Sequence, residues 1–281
     1  MTGHHAALSN SVACTDTVEL ARSIRKDVLH MVHRTRASHV GSCFSMADML
    51  AVLYGRILRV DPAMPEHPDR DRLIISKGHS AAAVYATLAN SGFFPCDWLD
   101  RYCENGGVLA GHVSHNVPGV ELSTGSLGHG LSVATGLALA AKIDRNARRA
   151  FVILSDGECD EGSIWEAALF AGHNKLDNLT VLVDYNKIQS FGRVSDVLAL
   201  EPFADKWQSF GWTVQEIDGH DHSMLARTLE ALPNKAGKPG VVLCHTVKGK
   251  GVSFMEDQIA WHYKSPNDEQ LEQALAEVES R

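Results

Sequence analysis

The six cysteines of this 281-residue chain form no C-x-x-C pair and fall at no zinc-ligand spacing. Cys14, Cys43, Cys96, Cys103, Cys159 and Cys244 stand singly. That pattern argues against a zinc ribbon or a dithiol redox centre and suits a reducing compartment. An excess of positive charge is missing too, with 26 Lys and Arg against 34 Asp and Glu and a net charge of -8. A mildly acidic chain binds phosphate backbones poorly, so nucleic acid is not expected as a partner. Any anionic ligand must be held by local groups. No apolar run approaches a membrane span. The N-terminus shows no basic region followed by an apolar stretch, so no signal peptide is expected. A cytoplasmic protein without membrane contact is the expectation. Internal repeats, low-complexity tracts and a domain linker are also absent.

What is present is ordinary globular composition, 44% hydrophobic and 21% charged. Residues 1–14 read as a flexible leader and 15–281 as one domain. A helix is expected from Asp16, with Leu20, Ile24, Val28, Met31 and Val32 on one face. Arg34 to His39 interrupt it, and a second helix is expected after Ser45, carrying Met49, Leu50 and Leu53. Prolines make 61–68 a loop. Residues 73–75 form a short strand, 80–90 a buried Ala-rich helix, and 104–130 a long irregular site loop. A small-residue helix follows at 129–143. The clearest unit is strand 151–154, a helix from about Ser163, then strand 179–183, the spacing of a parallel βαβ unit. Further strands at 212–217 and 241–246 flank a helix at 224–232, and 267–281 reads as an amphipathic helix. The fold class is therefore α/β: a doubly wound, mostly parallel sheet with helices on both faces.

Ligands of such sheets bind outside the carboxyl ends of the strands. Asp156, in the turn after one strand, and Asn186, just after the next, are both placed there. A carboxylate, an amide oxygen and nearby main-chain carbonyls suit Mg²⁺ or Ca²⁺, with phosphate oxygens completing the shell. Gly157 permits close approach of phosphates, and the helix that follows offers its N-terminus to an anion. The alternative reading is a plain Asp-Gly turn and a strand-end Asn.

Asp156-Gly157 followed some thirty residues later by Asn186 resembles the diphosphate-binding motif of thiamine diphosphate enzymes, with Ser155 replacing the usual first glycine. Other segments resemble transketolase, in transketolase order: His39-Val-Gly-Ser42, Ser76-Lys77-Gly-His79, Gly111-His112, Gly125-Ser-Leu127-Gly, Lys248-Gly-Lys-Gly251 and Trp261-His262. Ser38 and His129 depart from that pattern, where glycine and glutamine are usual. The likeness runs from about Thr15 to Pro266.

The resemblance implies metal ligation by Asp156, Asn186 and the main-chain oxygen of Ile188. It sets Ser42, Lys77, His79, Gly157, Lys248 and His262 around the cofactor. Gly125 and Leu127 would approach its aminopyrimidine. His39, His112 and His262 would face the reacting hydroxyls of a ketose. Histidine suits proton movement near neutral pH, and the cofactor serves as the electron sink. Glu161 and Glu166 have two readings, a capping box from Ser163 to Glu166 or an acidic network at a subunit interface. Cys159 has no paired base and reads as a packing residue; His220 and His222 read as structural.

A full transketolase has a pyrimidine-binding domain that this sequence does not contain. The resemblance therefore implies a C-terminal partner subunit, an α₂β₂ assembly, and sugar or sugar-phosphate substrates. Rival readings are a 1-deoxyxylulose-5-phosphate synthase relative, a 2-oxo acid dehydrogenase α subunit, or a non-catalytic cofactor-binding regulator.

Overall fold

The computed structural model describes residues 16–232 and 237–280; the expected leader, 1–14, lies outside them. A five-stranded sheet runs in the order β1-β2-β3-β5-β4, and every neighbouring pair is parallel. The strands are β1 (Arg72–Ile75), β2 (Ala150–Ser155), β3 (Leu179–Tyr185), β4 (Thr213–Asp218) and β5 (Gly240–His245). The inner strands read as unbroken apolar runs because both faces are covered. Successive residues alternate between two cores. Phe151, Ile153, Leu182 and Val242 point into one, and Val152, Leu154, Val181 and Val183 into the other.

The first core is closed by α1 (Thr17–Thr35), α2 (Val40–Ser45), α3 (Ala47–Val52), α4 (Ala81–Asn90), α9 (His222–Ala231) and α10 (Asp268–Glu279). The second is closed by α5 (Gly130–Ile143), α6 (Gly162–His173), α8 (Phe203–Ser209) and the single turn α7 (Val194–Val197). Helix α1 starts where expected, since the Asp16 carboxylate accepts the N–H groups of Val18 and Glu19. Asn267 and Gln270 cap α10 reciprocally. No helix among the described residues is long and apolar enough to cross a membrane.

The helix expected after Ser45 is α3, which begins at Ala47. A separate short helix, α2, precedes it from Val40, where His39 adopts φ 75° and its carbonyl accepts the N–H groups of Ser42 and Cys43. One expectation needs correction. The capping box from Ser163 to Glu166 does not form. Glu161 is the N-cap of α6, and the Ser163 hydroxyl donates instead to the Gly128 carbonyl at 2.8 Å. The helix expected from about Ser163 begins at Gly162, after a 3₁₀ turn, Gly157–Asp160. The Gly157 N–H is spent on the Asp156 carboxylate.

Helix α6 packs against the turn before β4 so closely that a Cβ on Gly172 would lie 1.9 Å from the Phe210 carbonyl oxygen. Backbone cannot yield cheaply there. Gly172→Ala is expected to destabilise the fold by about 1–3 kcal/mol, read as a lowered urea midpoint with unchanged slope.

Candidate active site

Strand register sets the site. Ser155 pairs with Asp184, and Asp184 with Cys244. Asp156, Asn186 and Thr246 therefore leave the sheet at one edge. Lys77 joins them two residues after β1.

Beneath the site floor lies a buried ion pair. Lys77 has no exposed surface, and its ammonium pairs with the Asp184 carboxylate. The same ammonium donates to the Ser42 carbonyl at 3.1 Å. Asp184 also accepts from Ser45 Oγ at 2.6 Å, from Thr246 Oγ1, and from Asn186 Nδ2 at 3.2 Å. Burial penalises the Asp184 charge, but Lys77 and the two hydroxyls outweigh it and hold the carboxyl below its usual range.

Above the pair is an oxygen-rich corner. Asp156 Oδ1 accepts the Gly157 N–H at 2.7 Å and Oδ2 accepts the Lys187 N–H. Asn186 Oδ1 accepts the Ile188 N–H at 3.1 Å. Burial, then repulsion from Asp184, pushes Asp156 up to about 6 despite those donors. Such a carboxylate is short of positive charge. Among the described residues no group of three or more His, Cys, Asp or Glu side chains could hold a metal. The corner is instead one carboxylate, one amide oxygen and one carbonyl, each with a lone pair to spare. Those donors fit a hard divalent cation that keeps further oxygen ligands. The Ile188 carbonyl also accepts from Lys248 Nζ at 2.8 Å. Burial and Lys77 lower the Lys248 ammonium to about 8.

Four imidazoles gather opposite. The His39 ring centroid lies 5.0 Å from His262, 5.1 Å from His79 and 6.1 Å from His112. Burial, reinforced by neighbouring positive groups, lowers His39 to about 4 and His262 to about 3, and holds His79 well below its usual value. These three rings are neutral at pH 7, each with one donor and one acceptor nitrogen. Lys248 Nζ lies 3.1 Å from His262 Nδ1. An ammonium can only donate, which leaves the His262 ring proton on Nε2. His79 Nε2 meets Ser42 Oγ at 2.9 Å.

The irregular segment after α4 is pinned to this frame. The Tyr85 hydroxyl donates to the His112 carbonyl at 2.7 Å and accepts the Ser114 N–H at 3.1 Å. Thr124 Oγ1 donates to the Ile75 carbonyl at 2.6 Å. Buried Glu158 accepts from the Gly128 N–H at 2.8 Å, from the Ser155 N–H at 3.2 Å and from Ser76 Oγ. Gly128 has φ 87°, and a Cβ there would sit 2.5 Å from Ser163 Oγ, so only glycine fits.

One cleft is lined by His39, Ser42, His79, Gly125, Leu127, Asp156, Gly157, Asn186, Ile188, Lys248 and His262, with Gln189 and Ser190 added. His112 stands exposed beside it. Lys77 does not line the cleft, contrary to expectation, because its ammonium is consumed by Asp184 below. Glu161 and Glu166 are exposed on α6, outside the cleft. Cys159 is buried, and burial drives its thiol far above the usual range. The sequence reading missed Asp184, Glu158 and Tyr85. A carboxylate ending the apolar run 179–183 was the available signal for Asp184, since such a group needs a partner.

An open parallel sheet that presents hard oxygens, ammonium groups and imidazoles at its carboxyl edge defines a domain for a diphosphate-bearing cofactor. Residues 16–277 match the family described as "Transketolase, thiamine diphosphate binding domain", and the chain belongs to the transketolase family. The 6-deoxy-6-sulfo-D-fructose transketolase subunit SqwG of Clostridium sp. (strain MSTE9) is 43% identical, over 94% of this chain and 96% of its own. An apulose-4-phosphate transketolase subunit of Phocaeicola vulgatus is 42% identical, over 95% of both chains. Transketolase from Leishmania mexicana aligns at a TM-score of 0.87 and 30% identity, over 94% of this chain and 41% of that one. The chain thus spans about two-fifths of the length of the solved transketolases it matches.

The buried pair generates a stability prediction. Asp184→Asn leaves the Lys77 ammonium uncompensated and is expected to cost about 3–5 kcal/mol in urea unfolding. Replacing both partners, Lys77→Met with Asp184→Leu, is expected to cost less than Asp184→Asn alone.

Proposed function

We propose that this chain is the diphosphate-side subunit of a thiamine diphosphate-dependent transketolase. It would transfer a two-carbon ketol unit from a ketose to an aldose acceptor. The observation that carries the reading is that one cleft holds both the oxygen corner at Asp156 and the imidazoles of His39, His79 and His262. A plain cofactor binder needs the first and has no use for the second. That contrast disfavours the regulatory reading. The relatives named above favour transketolase over the deoxyxylulose-phosphate synthase and oxo acid dehydrogenase alternatives.

In this reading Asp156, Asn186 and the Ile188 carbonyl hold Mg²⁺ or Ca²⁺, and Gly157 leaves room for the diphosphate. Ser42, His79, Lys248 and His262 surround the cofactor. Lys77 acts from below, by fixing Asp184 and the Ser42 carbonyl. Gly125 and Leu127 face the aminopyrimidine. Bound thiamine diphosphate supplies the electron sink for cleavage beside a ketone. His39, His112 and His262 bind ketose hydroxyls and move their protons. Neutral imidazoles can do both without a prior change of charge.

The partner is a C-terminal subunit carrying the pyrimidine-binding domain, in an α₂β₂ assembly within the cytoplasm. Two relatives of nearly the same length are themselves named as subunits. Helices α5 and α6 pack together and expose Val133, Leu169 at 56% and Phe170 at 46%, an apolar surface suited to burial against another chain. Glu161 and Glu166, both on the exposed side of α6, would join an acidic network at that interface.

Asp156→Ala and Asn186→Ala are each expected to weaken thiamine diphosphate binding sharply, measured by calorimetric titration of the assembled protein with Mg²⁺. Unchanged affinity in both would sink the metal assignment. The isolated chain is expected to be inactive in ketose cleavage and to gain activity as a chain with the pyrimidine-binding domain is titrated in. Full activity of the chain alone would show the two-subunit reading to be wrong.

A further inference from the structure

We infer that His220, outside the cleft, positions Lys248 through the main chain of Val247. The inference rests on reading the cleft as a thiamine diphosphate site. Lys248 lies in the turn after β5, where Gly249 and Gly251 have φ of 80° and 102°. Glycines leave such a turn many conformations, so its shape depends on what holds it. Its main chain is held from several sides: the Lys248 carbonyl accepts the Asp257 N–H at 2.9 Å, Glu256 Oε1 accepts the Gly251 N–H at 3.0 Å, and three further contacts flank them. His220 Nε2 accepts the Val247 N–H at 2.9 Å. The Gly41 carbonyl accepts the Gly249 N–H at 3.0 Å. Arg25 Nε donates to the Lys250 carbonyl at 3.0 Å. Between these anchors the Lys248 ammonium reaches the Ile188 carbonyl and His262.

The His220 anchor is itself oriented. A backbone N–H can only donate, so Nε2 carries no proton and the ring proton sits on Nδ1. That nitrogen lies 2.6 Å from Asp48 Oδ2 and donates to it. Asp48 is buried and held by Arg25 through both oxygens, at 3.0 and 2.7 Å. Burial penalises the Asp48 charge, but Arg25 and the bonds from His220 and His222 outweigh it and hold the carboxyl well below its usual range. The imidazole therefore spans a fixed carboxylate and the main chain one residue before Lys248. A ring so oriented resembles the outer partners that fix functional groups at metal and catalytic sites. His222 differs. It meets Asp48 Oδ1 at 3.0 Å and Thr17 Oγ1 at 2.8 Å, and is not bonded to the turn.

Two substitutions separate the bonds of His220. His220→Gln keeps an oxygen near Nε2 that can accept the Val247 N–H. His220→Asn keeps a donor near Nδ1 for Asp48 and loses that acceptor. His222→Ala controls for general loosening of the cluster. The measurements are amide hydrogen exchange across 247–252 of the full chain without cofactor, and thiamine diphosphate titration with Mg²⁺ of the chain assembled with the partner that carries the pyrimidine-binding domain. His220→Asn is expected to speed exchange at Val247 and raise the cofactor Kd about 10-fold or more. His220→Gln restores most of both, and His222→Ala moves neither. Equal behaviour of the Asn and Gln variants would overturn the inference. So would faster exchange in His220→Asn with unchanged affinity, or an equal effect of His222→Ala. Failure of the unmodified chain to bind thiamine diphosphate even when assembled with that partner would instead overturn the site reading, and the exchange data would still decide whether His220 anchors the turn.

Discussion

A lysine ammonium with no exposed surface needs a carboxylate against it, and the Lys77–Asp184 pair is the contact on which the site depends. Removing two ions from water costs several kcal/mol each, and attraction offsets that only where other hydrogen bonds complete both shells. Ser42, Ser45, Asn186 and Thr246 supply those bonds. They come from α2 and from the ends of β3 and β5, while Lys77 itself follows β1. Satisfying one pair thus ties four parts of the chain into one floor. The pair also sets the electrostatics above it. Asp184 stays ionised and repels Asp156, which raises Asp156. Lys77 adds to the lowering of Lys248, His39 and His262. A cation at Asp156 would relieve the repulsion that the floor creates.

The sequence made the outer frame readable because strand and helix periods are local. The apolar runs at 151–154 and 179–183 specify buried parallel strands whatever the rest of the chain does. Asp156 and Asn186 were legible for the same reason, since residues just past such strands must stand at the sheet edge. The four histidines were different. No periodicity relates His39, His79, His112 and His262, and only the resemblance joined them. Errors arose where a distant contact overrides a local preference. Ser163 heads a good capping box, yet the Gly128 carbonyl takes its hydroxyl from 35 positions away. Lys77 resembles a cofactor ligand until Asp184, 107 positions on, claims it. His220 was read as structural, and its bond to Val247 cannot be seen without the turn that brings them together.

Burial explains why the imidazoles stand together as neutral hydrogen-bonding groups. Exposed histidine would be partly protonated near neutral pH, and repulsion would disfavour several together. Packing His39, His79 and His262 against one another and beside two buried ammonium groups removes that charge. Each ring then keeps one donor and one acceptor. The bond from Lys248 assigns those roles at His262, with Nε2–H left to donate. A hydroxyl-rich ligand meets fixed donors and acceptors rather than a mobile charge, so little reorganisation is required as its protons shift. His112, exposed on the irregular segment, completes the set from the solvent side.

That segment shows how a fixed cofactor side can carry a variable rim. Residues 102–129 have no regular strand or helix, and the Val113 N–H, donated to the Gly78 carbonyl at 3.1 Å, ties their backbone to the frame. Tyr85, Thr124, Glu158 and Glu121 add side-chain pins, the last through Arg70 and Arg72. Each pin joins the segment to a strand end, a core helix or the turn after β2, Tyr85 and Glu158 gripping from the frame and Thr124 and Glu121 from the segment. Exposed positions between the pins, His115 and Asn116, add little to the floor at Asp184, whereas Val117 beside them is buried in the first core. Substitution at the exposed positions can reshape the rim while the oxygen corner and the histidines keep their geometry. The physical separation is between residues that must satisfy buried charge and residues that only have to reach the cleft.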